Sequence, residues 1–220
     1  MLNIIYRFWN LIYPQKCVLC RTVLPPEGND LCVRCRREAP EFLYSRKKIS
    51  HTAGWISLWL YKDHVRKSIL RYKFSHTRHY AKAYGRLLAM RIITSMDTEF
   101  DAVTWVTPSI RRQLVRGFDH GRKLAKATAK ELGLPLQRTL TKVIHNPAQS
   151  ASSSAAARRA NVLGAYKAFR PAQIAGKRIL LIDDVVTTGA TASECAKTLM
   201  LSGAKSVHLA TVAATELHQR

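Results

Sequence analysis

Acidic side chains are scarce in this sequence. The 220 residues contain 14 Asp and Glu against 36 Lys and Arg, which gives a formal charge of +22 and a pI near 10.3. An excess of this size makes a polyanionic partner the first expectation. The excess is uneven, because residues 1–131 hold 25 of the basic residues, whereas residues 171–220 hold five basic and four acidic side chains.

Long apolar runs are also missing. A membrane-spanning helix needs about 18 uncharged residues. The best N-terminal candidate, MLNIIYRFWNLIY, is interrupted by Arg7 and has no small-residue cleavage site. The sequence therefore predicts a soluble cytoplasmic protein without a membrane span, and residues 2–13 are expected to form a short amphipathic helix.

The order of apolar and amphipathic segments predicts an α/β protein with a mostly parallel sheet flanked by helices. Its length suits one such domain, over residues 46–220, and a small N-terminal module, over residues 1–45. The expected strands are 51–61 (a strand or hairpin), 100–109, 136–144, 163–169, 177–183 and 206–214, and the expected helical regions are 63–93, 119–133 and 190–202.

Cysteine is rare, and four of the five cysteines form two Cys-x-x-Cys pairs separated by eleven residues. Four thiolates at this spacing suit tetrahedral zinc in a closed structural site. A disulfide pair and a catalytic Cys-x-x-Cys are the alternatives. The predicted zinc ligands are Cys17, Cys20, Cys32 and Cys35, whereas Cys195 falls on an apolar helix face and is expected to be an inert core residue.

The segment RILLIDDVVTTGATAS, residues 178–193, places two carboxylates after an apolar strand and a glycine turn before a helix. A helix N-terminus after such a turn offers backbone N–H groups and a positive dipole end, which suit a phosphate. Asp183 and Asp184 then have a different task, accepting hydrogen bonds from sugar hydroxyls or holding Mg²⁺ through water. The predicted phosphate ligands are Thr187, Thr188, Gly189, Ala190 and Thr191.

This segment resembles the phosphoribosyl pyrophosphate (PRPP) motif of type I phosphoribosyltransferases. The resemblance implies that Asp183 and Asp184 lie near the ribose 2′- and 3′-hydroxyls and that residues 187–191 surround the 5′-phosphate. It also implies a diphosphate loop in VTPSIRRQLVRGFDHGRKLA, with Arg111, Arg112 and Arg116 facing a diphosphate or a polynucleotide, and a hood at 145–162, with Gln149, Arg158 and Asn161 as weaker candidates.

Together, the four-cysteine module, YKDHVRKSILRYKFSH, RRQLVRGFDHGRKLA and RILLIDDVVTTGATAS resemble the ComF family of natural competence proteins. Membership implies a cytoplasmic protein that acts on single-stranded DNA during its uptake, beside a helicase-like partner. It also implies a phosphoribosyltransferase domain that binds PRPP with Mg²⁺ and whose acceptor substrate is undefined.

A basic run at residues 62–91 points to nucleic acid independently of that resemblance. It contains nine basic residues against one acid, with aromatic residues interleaved, which is the composition that sequence-tolerant single-strand binding requires. An amphipathic helix with buried aromatics and solvated cations is the alternative. The predicted DNA contacts are Arg66, Lys67, Arg71, Lys73, Arg78, Lys82 and, beyond the run, Arg116, with Tyr61, Tyr72, Phe74, Tyr80 and Tyr84 as the stacking candidates.

Three functions fit these residues. The first is a single-stranded-DNA-binding protein of DNA uptake with PRPP and Mg²⁺ as effector or substrate. The second is an orphan phosphoribosyltransferase that transfers ribose 5-phosphate from PRPP to a nucleobase-like acceptor. The third is a regulator that uses the fold only to sense PRPP, since a fold by itself does not decide among functions.

Overall fold

The computed structural model describes residues 14–25, 30–42, 48–74, 77, 79–109, 118–144 and 162–215. Within these ranges, no helix has both the length and the apolar character that a membrane crossing requires. In chain order the elements are α1 (Val33–Glu38), β1 (Gly54–Leu60), α2 (Asp63–Phe74), α3 (Tyr80–Ser95), β2 (Ala102–Trp105), α4 (His120–Leu132), β3 (Leu140–Lys142), β4 (Tyr166–Ala168), β5 (Arg178–Val186), α5 (Ala190–Leu201) and β6 (Ser206–Ala214).

Four strands form a parallel sheet in the order β1-β6-β5-β2. The central strand β5 is apolar and fully buried from Ile179 to Ile182, because helices cover both faces of the sheet. Strands β3 and β4 pair antiparallel in a separate two-stranded sheet. The predicted α/β fold with a mostly parallel sheet is confirmed.

Two apolar cores lie against the sheet. On one side α2, α3 and α4 pack together with Val103, Leu180 and Ala210. On the other side α5 packs with Ile179, Leu181 and neighbouring strand residues. The close contact between α3 and α4 depends on glycine, since a Cβ at Gly85 would lie 2.5 Å from the Cβ of Ala127.

Helix α4 begins and ends where the sequence predicts. The Asp119 side chain accepts a hydrogen bond of 2.8 Å from the backbone N–H of Arg122, and Gly133 ends the helix at a φ of 66°. Both are standard end signals, the first satisfying an unpaired N–H and the second using the left-handed region. Leu124, Ala125 and Ala129 are buried on the predicted face.

The structure refines the predicted elements, and β2, β3 and β4 are shorter than the sequence predicts. Strand β5 continues to Val186, so the two acids lie inside the strand instead of following it. The helical region predicted for 63–93 is two helices, α2 and α3, and the region predicted for 51–61 is a single strand that pairs with β6. Residues 2–13 lie outside the described residues.

Candidate functional site

The two acids lie toward the carboxyl end of β5, where ligands bind in open parallel sheets. Asp183 pairs in register with Thr211 of β6, and its Oδ1 accepts a 2.8 Å hydrogen bond from the backbone N–H of Asp184. Burial, together with the charge of Asp184, raises the pKa of Asp183 to about 7.

Asp184 has a cationic partner that the motif does not contain. Lys73, in the last turn of α2, places its Nζ 2.7 Å from Asp184 Oδ1. The side chains are 19% and 16% exposed, so the pair is largely withdrawn from water. Lys73 thus belongs to the carboxylate site, which corrects its prediction as a DNA contact.

The glycine turn joins β5 to α5 as the sequence predicts. Gly189 has a φ of 77°, and a Cβ there would lie 3.2 Å from Cγ1 of Ile49. Thr188 Oγ1 accepts a hydrogen bond of 3.4 Å from Ala190 N, while Thr215 donates to the Thr187 carbonyl at 2.9 Å. The turn is therefore fixed from both sides before any ligand binds.

A small cavity of about 190 Å³ opens beside this turn. Its lining includes Thr188, Gly189, Ala190 and Ser193 of the turn and of α5, Ser50, and the charged residues Lys48 and Glu194. Hydroxyl groups and a helix N-terminus around a cavity of this size form a suitable setting for a phosphate group. Thr191, also in the first turn of α5, is partly buried.

The four cysteines converge. The Sγ atoms of Cys17, Cys20, Cys32 and Cys35 all lie within 4.8 Å of one another, and each is a free thiol. Cys32 also caps α1, since its Sγ accepts from Cys35 N at 3.4 Å. The cluster could hold a metal ion, and its four soft donors fit the tetrahedral preference of zinc. Cys195 is fully buried in the core, as predicted.

The cysteine module is tied to the helices next to the sheet. Ser68 donates to the Val18 carbonyl and Arg71 to the Leu19 carbonyl, both in the turn between the first two cysteines. These contacts connect α2 directly to the metal-binding turn. A second contact joins the module to α3, where Arg86 Nε donates to Oδ2 of the buried Asp30 at 2.8 Å.

The basic run is divided between inner and outer residues. Tyr72 and Tyr84 are fully buried and Tyr80 nearly so, which withdraws them from the predicted stacking role. Arg71 and Lys73 have protein partners, whereas Phe74 is 64% exposed and Tyr61 partly buried. The exposed cations of the run, within the described residues, are Lys62, Arg66, Lys67, Lys82 and the Asp30-bound Arg86.

Comparison with known proteins agrees with this arrangement. The phosphoribosyl transferase domain family matches residues 119–219. "DNA utilization protein YhgH" of Salmonella typhi is 27% identical over 90% of this chain and 96% of its own length. "Competence protein F" of Haemophilus influenzae is 24% identical over 88% of this chain and 94% of its own. The chain is thus similar over nearly its whole length to proteins named for DNA utilization and competence.

Among solved structures, the glutamine PRPP amidotransferase from B. subtilis matches with a TM-score of 0.45 and 22% identity. The match covers 64% of this chain and 30% of that one. The phosphoribosyltransferase fold of the chain is shown by the domain match and by the helix-flanked parallel sheet.

The structure brings most of the predicted ligand residues together. Asp183, Asp184 and residues 187–191 share the strand end and the turn that follows it. From the sequence alone, Lys73 is predicted to contact DNA, because only the tertiary structure brings α2 next to β5. Several predicted residues lie outside the described residues: Arg78, Arg111, Arg112, Arg116, Gln149, Arg158 and Asn161.

Proposed function

We propose that this protein is a member of the ComF family, that it binds single-stranded DNA in the cytoplasm during DNA uptake, and that its phosphoribosyltransferase domain binds PRPP with Mg²⁺. The observation that carries the proposal is similarity over about 90% of the chain to proteins named "DNA utilization protein YhgH" and "Competence protein F". The matches also span 96% and 94% of those relatives' own length. A helicase-like protein is the proposed partner.

Charge supports the DNA-binding part of the proposal. Arg66 and Lys67 are exposed on α2, and Lys82 is exposed on α3. Three further exposed arginines, Arg34, Arg36 and Arg37, lie on α1 of the cysteine module. Cations on these neighbouring helices can follow a phosphate backbone without reading its sequence.

The β5–α5 turn supports PRPP binding. Residues 187–191 would hold the 5′-phosphate, while Asp183 and Asp184 would accept hydrogen bonds from the ribose hydroxyls. Carboxylate oxygens are also the donors that Mg²⁺ prefers, so the acids fit the ion directly or through water. When bound, Mg²⁺ would neutralise charge on the diphosphate. Arg111 and Arg112 are the proposed diphosphate contacts.

Fluorescence anisotropy of a labelled single-stranded oligonucleotide, titrated with zinc-loaded protein across a salt series, tests DNA binding. We expect affinity to fall steeply with salt, because cation release accompanies phosphate contact. The double variant Arg66→Gln/Lys67→Gln should weaken binding more than Lys126→Gln/Lys130→Gln, which removes two exposed cations from α4. Absence of binding at low salt contradicts the proposal.

The same titration with PRPP and Mg²⁺ tests whether the two sites communicate. A change in DNA affinity on adding PRPP would establish coupling, and the coupling must be reciprocal. Unchanged affinity together with direct PRPP binding would mean that the sites act separately.

A second candidate function is nucleotide synthesis by an orphan phosphoribosyltransferase. The observation that favours it is the complete acid pair and glycine turn, which a DNA-binding protein alone does not need. Diphosphate release that depends on a nucleobase and disappears in Asp183→Ala would support this function. No release with any nucleobase would leave PRPP as an effector, which is the sensing role.

A further inference from the structure

Lys73 approaches the acid pair from a different part of the chain. It lies 110 positions before Asp183, yet its ammonium is 2.7 Å from Asp184 Oδ1. The two side chains are 19% and 16% exposed, so water screens this pair less than it screens a surface ion pair. Such a charge-assisted hydrogen bond fixes the direction of the carboxylate as well as its charge.

The acid pair needs a cation at this place. Asp183 and Asp184 are consecutive and partly buried, and adjacent carboxylates repel each other. The ligand proposed for them is itself a polyanion, so its approach adds a further unfavourable charge. Lys73 offsets this repulsion from within the protein.

Several contacts fix the helix that carries Lys73. Ser68 and Arg71 hydrogen-bond the Val18 and Leu19 carbonyls of the cysteine turn. The hydroxyl of Tyr72 donates to the carbonyl of His120, at the start of α4, at 2.7 Å. Because these anchors are buried or partly buried, the last turn of α2 has little freedom to move away from β5.

We propose that Lys73 is a positioning residue of the PRPP site, which acts by orienting Asp184 toward the ribose hydroxyls and not by contacting the diphosphate. This inference rests on the proposed binding of PRPP. It assigns Lys73 to the sugar end of the site and removes it from the DNA surface. The other cations of α2, Arg66 and Lys67, remain on that surface.

Isothermal titration of zinc-loaded protein with PRPP and MgCl₂ tests the inference, with inorganic diphosphate and MgCl₂ as a second probe. The variants are Lys73→Met, Lys73→Arg and the matched control Lys67→Met, which removes an exposed cation from the same helix. Thermal unfolding of each variant reports whether the fold is kept. Oligonucleotide anisotropy is measured in parallel.

We expect Lys73→Met to weaken PRPP binding by roughly tenfold or more, because Asp184 loses its charged partner. Lys73→Arg should recover most of that loss, and Lys67→Met should leave PRPP affinity unchanged. The affinity of Lys73→Met for inorganic diphosphate should stay within about threefold of the unmodified protein, since only the sugar end is disturbed. Its DNA affinity should fall less than that of Lys67→Met.

Three results would overturn the inference. PRPP binding that is unchanged in Lys73→Met would remove the positioning role. Equal losses of PRPP and diphosphate affinity in Lys73→Met would make Lys73 a direct diphosphate contact. If Lys73→Arg does not recover PRPP affinity although its thermal unfolding is unchanged, the positive charge at this position is not what PRPP binding depends on. Failure of the unmodified protein to bind PRPP is distinct, because it contradicts the proposed function itself.

Discussion

The β5–α5 segment, residues 178–201, and the basic run, residues 62–91, are both rich in polar groups, but the fold uses them differently. In the first, consecutive residues converge on one place because a strand, a turn and a helix follow each other directly. In the second, residues that are close in the chain have different surroundings: Arg71 hydrogen-bonds the cysteine turn, Lys73 forms an ion pair with Asp184, and Lys67 is exposed to solvent. A run that is recognised only by its residue types therefore predicts the role of each residue less well than a strand–turn–helix segment, whose backbone places its residues together.

The largest effect is expected from a change in the cysteine cluster, because α2 of the basic run is hydrogen-bonded to the cysteine turn. Cys17→Ser should abolish stable zinc binding and unfold the module, since structural zinc contributes about 10 kcal/mol or more to such sites. Metal content and thermal unfolding measure the effect. PRPP affinity should also fall, because Ser68 and Arg71 of α2 would lose their hydrogen-bond acceptors in the cysteine turn. Cys195→Ser, which changes a buried thiol outside the cluster, should leave the zinc content unchanged.

Arg86 and Lys82 compare a cation that is paired with a buried acid with an exposed surface cation on the same helix. Arg86→Gln should lower the free energy of unfolding by about 2 kcal/mol, because the buried Asp30 loses its charged partner. Lys82→Gln should change stability by no more than about 0.5 kcal/mol and should weaken DNA binding. Equal stability of the two variants in urea unfolding would contradict this expectation.

Gly189 and Gly133 compare a glycine at the ligand turn with one at a distant helix end. Gly189→Ala should cost about 1–2 kcal/mol through its positive φ and its contact with Ile49, and should weaken PRPP binding at least tenfold. Gly133→Ala has a similar φ of 66° but no atom within 4 Å of the added Cβ. It should cost about 1 kcal/mol and leave PRPP affinity unchanged. Thermal unfolding and calorimetric titration distinguish the two.

The smallest expected effect concerns single surface cations. Arg66→Gln should reduce the slope of log affinity against log salt for single-stranded DNA by about 0.7, because one phosphate contact is lost. PRPP binding should not change. If the slope stays constant in Arg66→Gln and also in Lys67→Gln, the outer face of α2 does not contact DNA.

Much of the fold could be predicted from the sequence where the signals are local. Strand β6 has the predicted bounds, and α4 lies within the predicted span 119–133 and ends at Gly133 as predicted. The four cysteines were identified as a cluster because their spacing matches a known ligand geometry. The end of β5 was placed too early, since carboxylates normally interrupt a buried strand, but here β6 continues to pair with it.

The sequence by itself determined the strand–turn–helix of the PRPP motif and the four-thiol cluster, because each depends on residues close together in the chain. Only the tertiary structure decided the roles of the basic run. Tyr72 and Tyr84 became core residues, and Lys73 became the partner of Asp184. A helix presents its residues in several directions, so the role of each cation depends on which part of the protein packs against that face.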